Sequence, residues 1–219
     1  MPLSRTKFVG LTLIFAGIGA YGAWVLWLTT RTELPVNIPI SMAIGHIRTR
    51  EFELNMSAPY IIAVEVQKKN IPFDTLNCLL GLSMASTSTT LHECPDRPSV
   101  VMASWVLTSD GHTVARGSSD DYRSGAWMND AISRELGHFQ SQSGRRYVLD
   151  VNVLADGALL TPGNPRLRVE VHPEVYEGNI VVSIILFLAM GVLASVGAIL
   201  LLVSLIKNRR RIPLSSGPG

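Results

Sequence analysis

Two long stretches without a single charge bracket this chain: Phe8 to Thr30, 23 residues, and Ile180 to Ile206, 27 residues. An α-helix rises about 1.5 Å per residue, so about 20 apolar residues cross the hydrocarbon core of a bilayer. The first run fits with little tilt and the second has length to spare. A soluble core helix would carry a polar face, whereas both runs are apolar all round and offer only Ser and Thr hydroxyls that can bond back to their own helix. Trp24 and Trp27 stand at the distal end of the first run, where an interfacial aromatic belt places them. Charged residues make up 16% of the 219, against about 25% in an ordinary soluble domain, and the deficit lies in these two runs.

The flanks set the orientation. Arg5 and Lys7 precede the first run, while Lys207, Arg209, Arg210 and Arg211 follow the second, and neither tail holds an acid. Positive tails stay in the cytoplasm. The expected layout is therefore a cytoplasmic tail (1–7), a first transmembrane helix (8–30), an extracytoplasmic domain (31–179), a second transmembrane helix (180–206) and a basic cytoplasmic tail (207–219). That places the chain in the inner (plasma) membrane, with both termini cytoplasmic and the central domain periplasmic or extracellular. A competing reading takes the basic start, the apolar run and the small residues Ala20, Gly22 and Ala23 as a cleavable signal peptide. Against it, the run exceeds the 7 to 15 residues usual for such a segment and continues through Trp24 to Leu28.

The middle segment holds all 17 acids and 13 of the 19 bases, a net charge of −4, which gives no electrostatic reason to bind nucleic acid. Its periodicity is strand-like. Glu51 to Met56, Val64 to Val66, Leu149 to Val153 and Leu167 to Val171 alternate apolar with polar, and Tyr60 to Val66 and Val100 to Leu107 are more continuously apolar. Turn signals stand at Ser109-Asp110-Gly111-His112 and Ser143-Gly144. With weaker runs near Leu79 to Met84, Thr113 to Arg116 and Leu136 to Phe139, about eight short strands emerge, the spacing of an antiparallel sandwich or barrel, and a β-sandwich is the expected fold of this domain. One short helix is expected over Trp127 to Leu136, where Trp127, Ala131, Ile132 and Leu136 would share a face. Thr32 to Ile47, with Pro35 and Pro39, reads as an extended stalk or an edge strand. Ser83 to Thr90 (SMASTSTT) reads as a polar loop. No heptad pattern is evident.

Cys78 and Cys94 are the sole cysteines, both in the segment assigned to an oxidising compartment, and a disulfide between them is expected. The alternative is a metal site using Cys78 with His92, Glu93 and Cys94, but no CxxC or HxxxH pair accompanies them. Catalytic signals are sparse. The histidines, His46, His92, His112, His138 and His172, form no HExxH or HxH spacing; no GxSxG elbow, phosphate-cradling loop or dinucleotide fingerprint occurs. Ser118, Ser119, Asp120 and Asp121 with Asp110 and His112 make a triad only on paper, and the carboxylates Asp120, Asp121, Asp130 and Glu135 read as a solvated cluster. No cofactor or metal is expected. Asn55-Met56-Ser57 is a glycosylation sequon whose meaning depends on the host.

Binding residues are sought where aromatics, Arg and flexible polar residues mix, in Arg116 to Arg146. Tyr122, Arg123, Trp127 and Arg134 are the partner-binding candidates, because Tyr, Trp and Arg dominate interface hot spots. In the apolar runs, Ala16 with Ala20, Gly19 with Ala23, Gly191 with Ser195 and Ala194 with Ala198 are small residues four apart, the spacing that lets membrane helices approach closely. The expected function is a non-enzymatic, membrane-anchored interaction protein that binds a protein partner outside. The alternatives are a membrane-tethered envelope hydrolase and a carbohydrate-binding sandwich using Trp105, Trp127 or Tyr122. The layout resembles that of two-span accessory subunits with a β-rich ectodomain, such as those escorting lipid-flipping P-type ATPases, and of membrane-anchored immunity proteins; the likeness is architectural and rests on no motif.

Overall fold

The computed structural model describes residues 5–82, 99–122, 124–128 and 130–209. Two compact units result, one helical (up to Arg31 and from Tyr176) and one β-rich, Thr32–Val175.

The helical unit consists of α1 (Arg5–Thr29) and most of α3 (Pro173–Arg209), both long and apolar enough to cross a membrane. They run antiparallel along one seam. Gly10 abuts Gly197 and Leu201, Gly17 abuts Met190 and Leu193, Tyr21 packs edge-on against Phe187 at 5.9 Å, and Trp24 donates its indole N–H to the Ser183 hydroxyl at 2.9 Å. On α1 the seam positions fall at 10, 14, 17, 21, 24 and 28, and on α3 at 183, 186, 190, 193, 197, 200 and 204. This alternation of three and four residues keeps two helices in contact over several turns. It corrects the expectation of no heptad pattern.

The candidate packing residues lie outside this seam. Ala16, Gly19, Ala20, Ala23, Gly191, Ser195 and Ala198 are exposed and only Ala194 is half-buried. A Cβ added at Gly19 or Gly191 would meet nothing within 4 Å. Gly and Ala occur on every face of these helices, so four-residue spacing alone did not mark the seam; the seven-residue interval from Gly10 to Gly17 did.

The β unit is a sandwich of two antiparallel sheets. The first contains β1 (Val36–Pro39), β4 (Pro59–Gln67), β7 (Gly125–Trp127), β8 (Ala131–Gln140) and β10 (Arg166–Val171), in the order β1-β10-β4-β8-β7. The second contains β2 (Gly45–Arg48), β3 (Phe52–Leu54), β5 (Ala103–Ser109), β6 (His112–Ser118) and β9 (Arg145–Val153), in the order β2-β9-β5-β6, with β3 also on β9. Alternation drives the core: Tyr60, Ile62, Val64 and Val66 of β4 face Leu107, Leu149 and Val151 of the other sheet within one apolar cluster. Trp105 lies in it and donates its indole N–H to the Leu136 carbonyl at 2.8 Å, which removes it as an exposed stacking platform. The expected turn before His112 is present, with Asp110 and Gly111 at φ of 52° and 78°, the positive values that a tight hairpin demands.

Two expectations about local structure fail. Trp127 to Leu136 is not a helix but β7 followed by β8. The inward positions of β8 are Ile132, Arg134, Gly137 and Phe139, opposite Val66, Val64, Ile62 and Tyr60, with the register shifting at Leu136. An arginine, a glycine and a bulge at inward positions erase the two-residue period, and the surviving apolar residues mimic a helical one. The glycine is required because a Cβ at Gly137 would lie 2.5 Å from the Trp105 ring.

Conversely, the weak strand expected from Leu79 begins inside α2 (Phe73–Leu80). This helix starts after Pro72 and stops at Gly81, which takes φ of 68° while the amides of Gly81 and Leu82 bond back to the last turn. The segment expected as an extended stalk contributes β1, an edge strand, and β2. Asn55 accepts the Thr32 amide at 2.8 Å, so the sequon's side chain has a structural role. The loop at Ser83 to Thr90 lies outside the described residues.

Candidate functional site

The outer face of the first sheet carries a group of charged side chains paired across strands. Because Ile62, Val64 and Val66 point inward, Ile61, Ala63 and Glu65 of β4 point outward, and their cross-strand partners complete a grid. Glu170 and His138 flank Ile61, Arg168 and Glu135 flank Ala63, and Arg166 and Ser133 flank Glu65. Ala63 is the small centre over which the long side chains close.

Arg168 joins the carboxylates of Glu65 and Glu170, the latter at 2.6 Å. Arg166 reaches across β1, donating from Nε to the Asn37 side-chain oxygen at 2.6 Å and from Nη2 to the Asn37 carbonyl at 2.9 Å. On the other flank Glu135 accepts the Ser124 hydroxyl at 2.5 Å and faces His138 Nδ1 at 3.4 Å, while the Tyr122 ring stands edge-on to His138 at 4.9 Å.

These charges are sheltered: side-chain exposure is 13% for Glu65, 16% for Arg168 and 15% for Glu135. Burial pushes the Glu170 carboxyl above its ordinary range, and the neighbouring Glu65 carboxylate adds to the rise, against the opposing pull of Arg168. The face is therefore sheltered and charge-paired. In the Ser124–Glu135–His138 group the carboxylate sits between hydroxyl and imidazole. A nucleophilic triad needs the imidazole in the middle, so this order does not activate the serine. Among the described residues no group of three or more His, Cys, Asp or Glu is placed to hold a metal.

The candidates from sequence scatter. Tyr122 is half-buried on the rim of this face; Arg123 lies outside the described residues. Trp127 is exposed on the edge strand β7, with its indole N–H donated to the Asn77 side chain of α2 at 2.9 Å. Arg134 is 2% exposed and is corrected from partner contact to internal brace: its guanidinium donates to the carbonyls of Leu80 and Ser119 and to the Ser99 hydroxyl, tying the end of α2 to the sheet. Cys78 lies on α2 and no described cysteine is free, while Cys94, His92 and Glu93 lie outside the described residues. The paper triad dissolves into turn chemistry, since the Asp121 carboxylate accepts the Ser118 amide at 2.9 Å and the buried Ser119 hydroxyl accepts the Ala103 amide at 3.0 Å.

Sequence reasoning missed Arg166, Arg168, Glu65 and Glu170 altogether. The signal for Arg168 and Glu170 is the alternation of Leu167-Arg168-Val169-Glu170-Val171, and for Glu65 that of Val64-Glu65-Val66, which puts those side chains on the outer face without showing that they pair.

A scan of protein-family models and a search of curated proteins match nothing to this chain. Among solved structures, the crystal structure of GEBA250068378 from Sulfurospirillum deleyianum is similar over 63% of this chain and 97% of its own, at 14% identity and a TM-score of 0.42. A likeness of that size bears on neither fold nor function.

Proposed function

We propose that this chain is a non-enzymatic, membrane-anchored interaction protein. In this reading α1 and α3 cross the membrane as an antiparallel pair, and the sandwich presents the charged outer face of its first sheet to a protein partner outside. The observation that carries the reading is how little of the helices their own pairing covers: 11% of the most apolar window of α1 and 6% of that of α3 are buried. Such surface demands lipid or further helices around it. The small residues Ala16, Gly19, Ala20, Ala23, Gly191, Ser195 and Ala198 lie on the part open to another membrane helix. A Cys78–Cys94 disulfide belongs to the same proposal, since it requires the sandwich to be outside the cytoplasm.

Support for the binding face comes from its preorganisation: cross-strand ion pairs hold the platform, and Tyr122 stands on its rim. The test is affinity capture of the full chain from mild detergent, comparing wild type with Tyr122→Ala/Arg123→Ala. A stoichiometric partner, weakened by more than about 1 kcal/mol per substitution, is expected. A folded double variant that captures the partner as well as wild type moves the site off this face, and absence of any stoichiometric partner contradicts the reading.

A further inference from the structure

At one margin of the sandwich the two sheets part. Between the edge strand β1 and the kinked edge formed by β2 and β3 lies a groove of about 550 Å3, bordered by Pro35–Ile38 on one side and Arg48–Phe52 on the other. Its origin is legible in the hydrogen bonding. Thr49 donates its amide to the Leu149 carbonyl and accepts the Leu149 amide on its hydroxyl, ending the pairing of β2; pairing resumes only at Phe52 opposite Tyr147. Arg50 and Glu51 are thrown out of the ladder.

The opposite wall is closed to a further strand. Pro35 and Pro39 lack amide donors, and the Asn37 carbonyl already accepts from Arg166. A partner strand is therefore a poor occupant, and the volume lies in the range of small-molecule sites, about 300–1,000 Å3.

The lining defines the chemistry. Val36, Ile38 and Phe52 supply apolar surface, and Asn37, Arg48 and Arg50 supply donors. Within a domain of net charge −4 the groove carries two arginines against one acid, and that acid, Glu51, faces Arg146 at 3.6 Å. Arg48 stands 3.8 Å from Asp150, a carboxylate that also faces His46 at 3.3 Å. No ion pair forms on Arg50 among the described residues, so its five N–H donors are available to an anion.

The geometry points to a binding site for a small amphiphilic anion, a carboxylate or phosphate on a short apolar body, with Arg48 and Arg50 on the charge and Ile38 and Phe52 against the body. The inference does not rest on the proposed partner-binding face.

The test uses the full chain in zwitterionic nanodiscs and ligand-observed fluorine NMR with 3-(4-fluorophenyl)propionate, 4-fluorophenyl phosphate and the neutral 3-(4-fluorophenyl)propanol. Inorganic phosphate serves as competitor. Both anions are expected to bind at least tenfold more tightly than the alcohol, and Arg48→Gln/Arg50→Gln, at exposed positions, is expected to remove that preference. Relative affinity of the two anions identifies which headgroup the groove takes. Equal binding of the alcohol, undiminished binding by the double variant, or no binding to wild type overturns the proposal. Displacement by inorganic phosphate at the probe's own concentration also overturns it, because the apolar wall would then contribute nothing.

Discussion

Adding one methyl group at Gly197 probes the α1–α3 seam at its closest point. A Cβ there would lie 2.6 Å from the Gly10 carbonyl oxygen and 2.7 Å from the Ile14 side chain. The first of these is backbone, so no rotamer change relieves it and the helices must move apart by roughly 1 Å to restore van der Waals separation near 3.5 Å. Overpacking of this kind costs about 1–3 kcal/mol. Gly10→Ala attacks the same contact from the other side, at 2.9 Å from the Gly197 carbonyl, so the two costs are coupled and the double variant falls short of their sum. Gly191→Ala is the control, because nothing lies within 4 Å of the added atom. The assay is energy transfer between dyes on unnatural residues near Thr29 and Asn179, followed as SDS is titrated into mixed micelles of the full chain. Gly197→Ala is expected to separate the pair at clearly lower SDS than wild type, and Gly191→Ala at an unchanged point. Identical midpoints for the two variants would refute the seam.

Three further outcomes follow from the β unit. Arg134→Met strands the carbonyls of Leu80 and Ser119 in a buried site and is expected to destabilise the chain by about 3 kcal/mol in chemical unfolding; a loss under about 1 kcal/mol would deny it a bracing role. Because the folded state raises the Glu170 pKa, its ionised form is a penalty that is present above the raised pKa and disappears below the ordinary glutamate value of about 4.3. Glu170→Gln is thus expected to raise Tm near neutral pH, with the gain shrinking as pH falls toward that value, and a gain that grows on acidification would reverse the sign of the argument. Alkylation under denaturing, non-reducing conditions is expected to leave Cys78 and Cys94 unmodified; two labelled thiols would reject the bridge, and bound zinc would favour the metal alternative.

Where a segment's chemistry is homogeneous the sequence speaks clearly. Uncharged ends become the two long helices, clean alternation at Leu149 to Val153 and Leu167 to Val171 becomes central strands, and Asp110-Gly111 becomes a hairpin turn. Legibility fails where tertiary contacts override the local period. Arg134 occupies a core-facing strand position only because Leu80 at the end of α2 and Ser119 offer it carbonyls, and Gly137 only because Trp105 fills its space. The helix seam depends on which face of each helix meets the other, and that information resides in a seven-residue repeat hidden among many small residues. The groove at the sandwich margin joins β1 to the Thr49 kink through two different sheets, and no local pattern connects those segments.

Protease protection in sealed, right-side-out membrane vesicles measures the disposition of the chain across the membrane directly. With tags at both termini, external protease is expected to cleave within residues 31–179 while both tags survive until detergent is added. An N-terminal tag digested from outside, or a mature chain beginning near Trp24, would contradict it.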